Sequence, residues 1–279
     1  MNEEGHRVAV VTGGASGIGL AMARQFVSEG MKVVIGDVES GALDIAVRQF
    51  QDAGVIGVRA DVTRHDDVVA LCEEAVRAFG RVDVVCANAG VETGGRFLDV
   101  ATEAWRWVME VNYFGVLTTA RVAVPLLERF GGGDLVITGS LAGFASGTPF
   151  MTPYCASKMA VLGLAECLEI ELRSCGSAVH VHLLAPGPVR SRMIDAERNA
   201  PAGVPIDEDA ERRAFMEDFR ARQSAEGLPA EDVALLVSRA IRDREFFVLP
   251  HHDRAVAALR RRLDWVENGV VPGSRVAGS

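Results

Sequence analysis

The chain has 279 residues, 49% hydrophobic and 24% charged, with a net charge of −9 at pH 7. Such a length and apolar fraction suit a sizeable enzyme-like core, while the acidic balance argues against nucleic acid or an anionic membrane as a main partner. Five scattered cysteines (72, 86, 155, 167 and 175) lack paired metal spacing and fit a reduced, cytoplasmic setting.

In chain order, residues 1–7 carry two glutamates and an arginine rather than a secretory pattern, and no apolar run is long enough to span a membrane. Valine- and isoleucine-rich runs at 8–11, 32–37, 55–60, 82–87, 134–139, 179–185 and 246–249 read as strands. Helical stretches lie near 18–29, 40–53, 66–79, 102–129, 154–174 and 229–243. The alternation predicts an α/β fold, a doubly wound, parallel seven-stranded sheet covered by helices on both faces, in one domain over 1–279. Residues 191–227, with charge clusters, Pro201 and Pro205, read as an inserted helical flap. In the C-terminal extension at 251–279, Val256, Leu259, Leu263 and Val266 recur at helical spacing, opposite Arg260 and Arg261. An amphipathic helix with a solvated arginine face is expected there.

Three short patterns carry chemistry. The glycine-rich stretch 12–19 follows the first strand and opens the first helix, where glycine permits a tight turn and backbone can approach a pyrophosphate at a helix N-terminus. Asp37 ends the second strand, 18 residues after Gly19. A carboxylate there accepts hydrogen bonds from ribose hydroxyls and repels a 2′-phosphate. With no basic residue at Ser16 or Val38, NAD is expected over NADP. The third pattern is Tyr154-Cys155-Ala156-Ser157-Lys158, in a chain holding two tyrosines and two lysines altogether. On a helix the i,i+4 spacing sets phenol beside ammonium, and a neighbouring cation lowers a phenol pKa toward one useful for moving an alcohol proton. Ser140, at the carboxyl end of the fifth strand, lies where doubly wound folds place ligands. His251 and His252 are neighbours that cannot both face one ion from a helix, and no cysteine or carboxylate cluster joins them, so no metal is expected. Cys155 points away from Tyr154 on the helix and reads as packing.

In order and context these pieces resemble a short-chain dehydrogenase/reductase from about residue 8 to residue 191. Thr-Gly-x-x-x-Gly-x-Gly matches residues 12–19, Asn-Ala-Gly matches 88–90, and Pro-Gly matches 186–187. The usual extra asparagine is Ala87, Pro188 departs mildly, and Ser191 replaces the usual threonine while keeping its hydroxyl. The resemblance implies a catalytic tetrad of Asn112, Ser140, Tyr154 and Lys158. In it Tyr154 is the acid/base, Ser140 holds the reacting oxygen, and Lys158 lowers the tyrosine pKa and holds the nicotinamide ribose. Asn112 positions a water that relays protons. It also implies cofactor contacts at Gly13, Ser16, Gly17, Ile18, Gly19, Asp37, Asp61, Val62, Asn88, Ala89, Gly90, Tyr154, Lys158, Pro186, Gly187, Val189 and Ser191.

The expected activity is NAD-dependent interconversion of a secondary alcohol and a ketone. The substrate would meet Ser140, Leu141, Tyr154 and Met193, with Phe144, Phe150 and Met151 as further walls. Met193, Ile194, Phe215, Met216 and Phe219 give the flap an apolar character, so a bulky aryl, alicyclic or steroid-like substrate is favoured. A polar substrate such as a sugar, polyol or hydroxy acid, anchored by Arg190 or Arg192, is the rival, and a non-catalytic dinucleotide sensor is a third reading. Homodimer and homotetramer both stay open, built on the helices near 102–129 and 154–174.

Overall fold

A computed structural model describes residues 5–51, 53–144, 148–206 and 209–269 of the chain. Seven strands form one sheet: β1 Val8–Thr12, β2 Lys32–Asp37, β3 Val55–Arg59, β4 Val84–Ala87, β5 Gly133–Thr138, β6 Val179–Leu184 and β7 Phe247–Val248. Their order is β3-β2-β1-β4-β5-β6-β7 and every pairing is parallel. The strands read as continuous apolar runs because both faces are covered; all five residues of β1 are buried. The order in which strands are added to the sheet reverses between β1 and β4. That switch point opens a crevice outside the carboxyl ends of the strands.

One face is covered by α1 Gly17–Ser28, α2 Ser40–Arg48 and α8 Ala230–Asp243, whose Met22, Phe26, Leu43, Val233, Val237 and Ile241 join Val11, Val33 and Ile35 in one core layer. The other is covered by α3 His65–Phe79, α5 Gly115–Arg129 and α6 Thr152–Ser174, with Leu71, Leu127, Val161 and Leu172 against Val10, Val85 and Ile137. Phe26 is fully buried, so its truncation to alanine costs about 3–5 kcal/mol. Below the amino ends of the strands, Asp134 gathers Arg7, His182 and Arg244 around one buried carboxylate.

Several boundaries differ from the sequence reading for physical reasons. The single helix expected at 102–129 is α4 Thr102–Met109, a π turn Glu110–Phe114 and then α5. Such a turn widens a helix locally and often marks a functional position; Asn112 lies at its centre. Strand β5 stops at Thr138, so Ser140 lies beyond it, capping a short 3-10 turn (Leu141–Gly143) by accepting from Ala142 N at 3.1 Å. The flap contains a 3-10 segment Met193–Asn199 and α7 Ala210–Glu226. The C-terminal helix is α9 His252–Asn268, but it docks through Ala255 and Ala258, leaving Leu259, Leu263 and Val266 exposed. Small side chains allow close approach there, which the leucine spacing did not foretell. The end of the expected extension, 270–279, lies outside the described residues.

Candidate active site

The site is assembled from loops at the carboxyl ends of β1 to β6. Gly13 and Gly17 adopt φ values of 63° and 51°, the left-handed region glycine tolerates. A Cβ at Gly13 would lie 2.9 Å from Ala89 Cα, so alanine there would force apart the first and fourth loops. Ser16 precedes α1 without capping it through its side chain, which leaves the first N–H groups of the helix for an anion in the cleft. Asn88 ties the loops together: its Nδ2 donates to Thr12 O at 3.0 Å and its Oδ1 accepts from Thr138 Oγ1 at 3.1 Å.

The resulting cleft is lined by Gly13, Ser16, Gly17, Ile18, Asp37, Asp61, Val62, Asn88, Ala89, Gly90, Tyr154, Lys158, Pro186, Ser191 and Met193, all named from sequence. Six other expected contacts lie behind the wall. Gly19 is buried against the Gly13 carbonyl, which a Cβ would strike, so it shapes the turn rather than facing the cleft. Gly187 donates its N–H to His251 Nδ1 at 3.1 Å and packs on Leu141, which removes both residues from the wall. Val189 is buried and bridges Leu228. Ser140 is buried, its hydroxyl donating to Pro186 O at 3.5 Å and lying near enough to the Tyr154 phenol to act on it. Asn112 is fully buried, and its amide is held by Val91 and by Ser157 Oγ at 3.1 Å.

At the inner end, Lys158 Nζ donates to Thr138 O at 2.8 Å and stands 5.7 Å from the centroid of the Tyr154 ring. Burial pulls the ammonium pKa down to about 8. Burial likewise pushes the phenol upward, with the nearby Ser140 hydroxyl opposing and the charges of Glu92 and Cys155 adding to the rise. In the closed cleft, desolvation therefore outweighs the effect expected of a neighbouring cation. Glu92, fully buried, is pushed up to about 7 by desolvation; its Oε1 accepts from Thr93 N and Gly94 N, while its Oε2 has no partner.

Above Tyr154 lies an apolar cluster of Met151, Tyr154 and Cys155, flanked by Ala142, Met193, Phe215 and Phe219. Phe150, Phe215 and Phe219 stack successively at 5.0 and 6.0 Å between centroids. Phe144 does not join them; it packs against Phe247 at 5.9 Å within the core. The flap arginines are largely engaged elsewhere: Arg212 binds Thr93 O and Glu197, and Arg220 binds Asp195 at 3.0 Å. At the opposite end, Asp37 accepts from Ala15 N and Glu39 N, both at 3.1 Å. Burial raises its pKa despite these bonds. Arg192, the anchor of the rival polar reading, lines the cleft as well, and sequence reasoning missed Glu39, Trp107 and Asn199 there and the place of Arg198 at the cofactor end. Arg198 and Asn199 are brought there by the flap, about 160 residues downstream of Glu39, so short spacing could not have revealed them.

Residues 7–202 match the family model described as short chain dehydrogenase. The chain belongs to the short-chain dehydrogenase/reductase family. It is 38% identical over 267 residues to a 1-deoxy-11-beta-hydroxypentalenate dehydrogenase of Streptomyces arenae, covering 92% of this chain and 86% of the relative. It is 37% identical over 237 residues to a cis-4-hydroxycyclohexanecarboxylate dehydrogenase of Sinomonas cyclohexanicum, covering 84% and 90%. A crystal structure of a short-chain dehydrogenase/reductase from Burkholderia phymatum in complex with NAD superposes with a TM-score of 0.91 at 37% identity, covering 99% of this chain and all of that one. As a member of this family the chain is an oxidoreductase of the nicotinamide-dinucleotide-binding kind. Its own residues fit such a cofactor. Uncapped N–H groups open α1, and Gly90 leaves room where a Cβ would sit 3.4 Å from Asn112 Oδ1 and 3.7 Å from Lys158 Nζ.

Proposed function

We propose that the chain is an NAD(H)-dependent oxidoreductase that interconverts a bulky, mostly apolar secondary alcohol and its ketone, with an alicyclic compound as the favoured substrate class. The observation that carries this reading is Tyr154 at the inner end of the cleft, on the floor of an apolar cluster, with Lys158 on the next turn of the same helix. Both relatives above are named for hydroxylated substrates, which supports the alcohol, and one name specifies a cyclohexane ring.

The nicotinamide cofactor, when bound, supplies the acceptor or donor of hydride. The chain's own residues handle the proton. Tyr154 takes it from the alcohol in one direction and gives it to the ketone in the other, and Ser140 holds the same oxygen through its hydroxyl. Lys158, anchored on Thr138 O, keeps positive charge beside the phenol as it ionises. Asn112 acts as a positioning residue by fixing the loop after Gly90 and, through Ser157, the start of α6. Its proposed part in a water relay would sit beside that bracing. Asp37 faces the adenosine ribose and selects NAD; the NAD-bound Burkholderia structure supports this.

Arg192 also lines the cleft, and one relative's printed name contains a carboxylate. A hydroxy acid with an apolar ring is therefore the second reading.

The family fold, with flap and C-terminal helix as additions, is read as one domain. Among the described residues no helix is long and apolar enough to cross a membrane, and all five cysteines are free, which supports a reduced cytoplasmic setting. Partly open Val122, Leu126, Leu162 and Leu168 and exposed Ile170 on α5 and α6 support a homodimer or homotetramer. Light scattering giving a mass near 29.8 kDa would contradict that.

The catalytic reading is tested by Tyr154→Phe. Turnover is expected to fall by about 10²–10⁴-fold, while NADH affinity by fluorescence titration stays close to wild type. Retained turnover would remove Tyr154 from the chemistry.

A further inference from the structure

Glu39 lies two residues past Asp37 and reaches across the cleft to the flap. Its Oε1 accepts from Arg198 Nε at 2.9 Å, from Arg198 Nη2 at 2.6 Å and from Asn199 Nδ2 at 3.0 Å. The remaining guanidinium nitrogen, Arg198 Nη1, donates to the carbonyls of Arg192 at 2.9 Å and Asp195 at 2.7 Å. Every nitrogen of Arg198 is thus engaged within its own turn or by Glu39. Asp37, Glu39 and Arg198 all line the same end of the cleft. Arg198 is close enough to Asp37 for its charge to act on that carboxyl. A planar guanidinium at this place is well suited to bind a phosphate through two nitrogens. The chain therefore sets, beside the end of β2, a cation able to favour a phosphorylated ribose and a carboxylate that occupies it.

We propose that Glu39 is a cofactor-specificity residue that works by occupying Arg198, withholding the guanidinium from a ribose 2′-phosphate. This rests on the reading of the cleft as a dinucleotide site with the adenosine ribose at Asp37. Discrimination against NADP(H) then has two separate parts. Asp37 repels the phosphate directly, and Glu39 denies it a partner. Glu39 could instead act through its own negative charge, with Arg198 as a bystander. The two accounts differ in whether the effect of removing Glu39 depends on Arg198.

The test is a double-mutant cycle read by binding alone, titrating NADH and NADPH fluorescence against wild type, Glu39→Ala, Arg198→Ala and the double variant. Glu39→Ala is expected to tighten NADPH at least about tenfold, since one freed charge-assisted contact is worth that much, with NADH affinity nearly unchanged. Arg198→Ala alone should not tighten NADPH, and in the double variant the gain should vanish. Glu39→Ser, too short to reach the guanidinium, carries the same comparison should the alanine variant fail to fold. A gain that persists in the double variant would overturn the proposal in favour of Glu39's own charge. Equal weakening of both cofactors by Glu39→Ala would overturn it in favour of a purely structural tie. If wild type already binds NADPH as tightly as NADH, the reading of Asp37 fails first and the proposal with it, an outcome visible before any variant is made.

Discussion

Asn112 and Val91 are joined twice: Asn112 Oδ1 accepts from Val91 N at 2.8 Å, and Asn112 Nδ2 donates to Val91 O at 3.0 Å. The side chain thereby completes both backbone hydrogen bonds of a buried loop residue, as a strand neighbour would. The π turn at Glu110–Phe114 places the amide there, and Ser157 Oγ takes its second donor at 3.1 Å. Asn112→Ala leaves those groups unpaired in the interior, so a stability loss of about 2–4 kcal/mol is expected. Urea unfolding measures it. A loss under about 0.5 kcal/mol, within the range of ordinary surface substitutions, would mean the pairing contributes little.

The cofactor end gives a second prediction. Asp37→Ala should narrow the preference for NADH over NADPH, which in wild type is expected to be at least tenfold, about 1.4 kcal/mol. Dissociation constants for the two reduced cofactors check this. An unchanged ratio would show that Asp37 does not face the ribose.

Much of this architecture was legible in the sequence because its signals are local. Strand and helix alternation, the glycine turn, Asp37 at the end of β2 and the Tyr154–Lys158 spacing each depend on neighbours within a few residues. What escaped depends on contacts distant in sequence. The sequence pattern places Ser140 at the end of a strand, but β5 stops at Thr138 and the hydroxyl caps the turn that follows. The π turn has no clear spacing signature, so 102–129 read as one helix. Glu39 and Arg198 meet across 159 residues. The spacing that sets Lys158 beside Tyr154 was legible; the rise that burial gives the phenol was not, because it depends on the whole roof of the cleft.

Glu92 makes stability fall as pH rises. Its carboxyl is pushed from 4.5 to about 7 by burial, so the folded chain holds a proton that the unfolded chain has lost between those values. The cost is absent below about 4.5 and complete above about 7. Glu92→Gln removes the charge, so at about pH 8 the variant should be more stable, by up to about 3 kcal/mol, while the two proteins converge near pH 4.5. Denaturant midpoints at both pH values check this. A variant less stable at the higher pH would contradict the account.

Asp134 acts in the opposite direction. Burial alone would raise its pKa, but His182, Arg244 and Arg7 outweigh that and hold it below the ordinary 3.8. Its contribution is therefore complete above the unfolded value and is lost as pH falls through the folded one. Asp134→Asn removes the charge that gathers buried His182 and two half-exposed arginines, and a loss of about 1–3 kcal/mol is expected at neutral pH. The variant should also show a flatter stability profile in acid. An acid limb as steep as that of wild type would place the proton uptake elsewhere.

The most direct measurement is kcat/KM with NAD, followed by NADH formation, over matched apolar and polar secondary alcohols, including cyclohexanols with and without a carboxylate. The account predicts that an uncharged alicyclic alcohol outperforms sugars and polyols, because its rings are received by Met151, Met193, Phe215 and Phe219, and that Tyr154→Phe abolishes the signal for every substrate. A polar set that ranks first, with rates that collapse on Arg192→Ala, would contradict the apolar pocket and transfer specificity to the arginine.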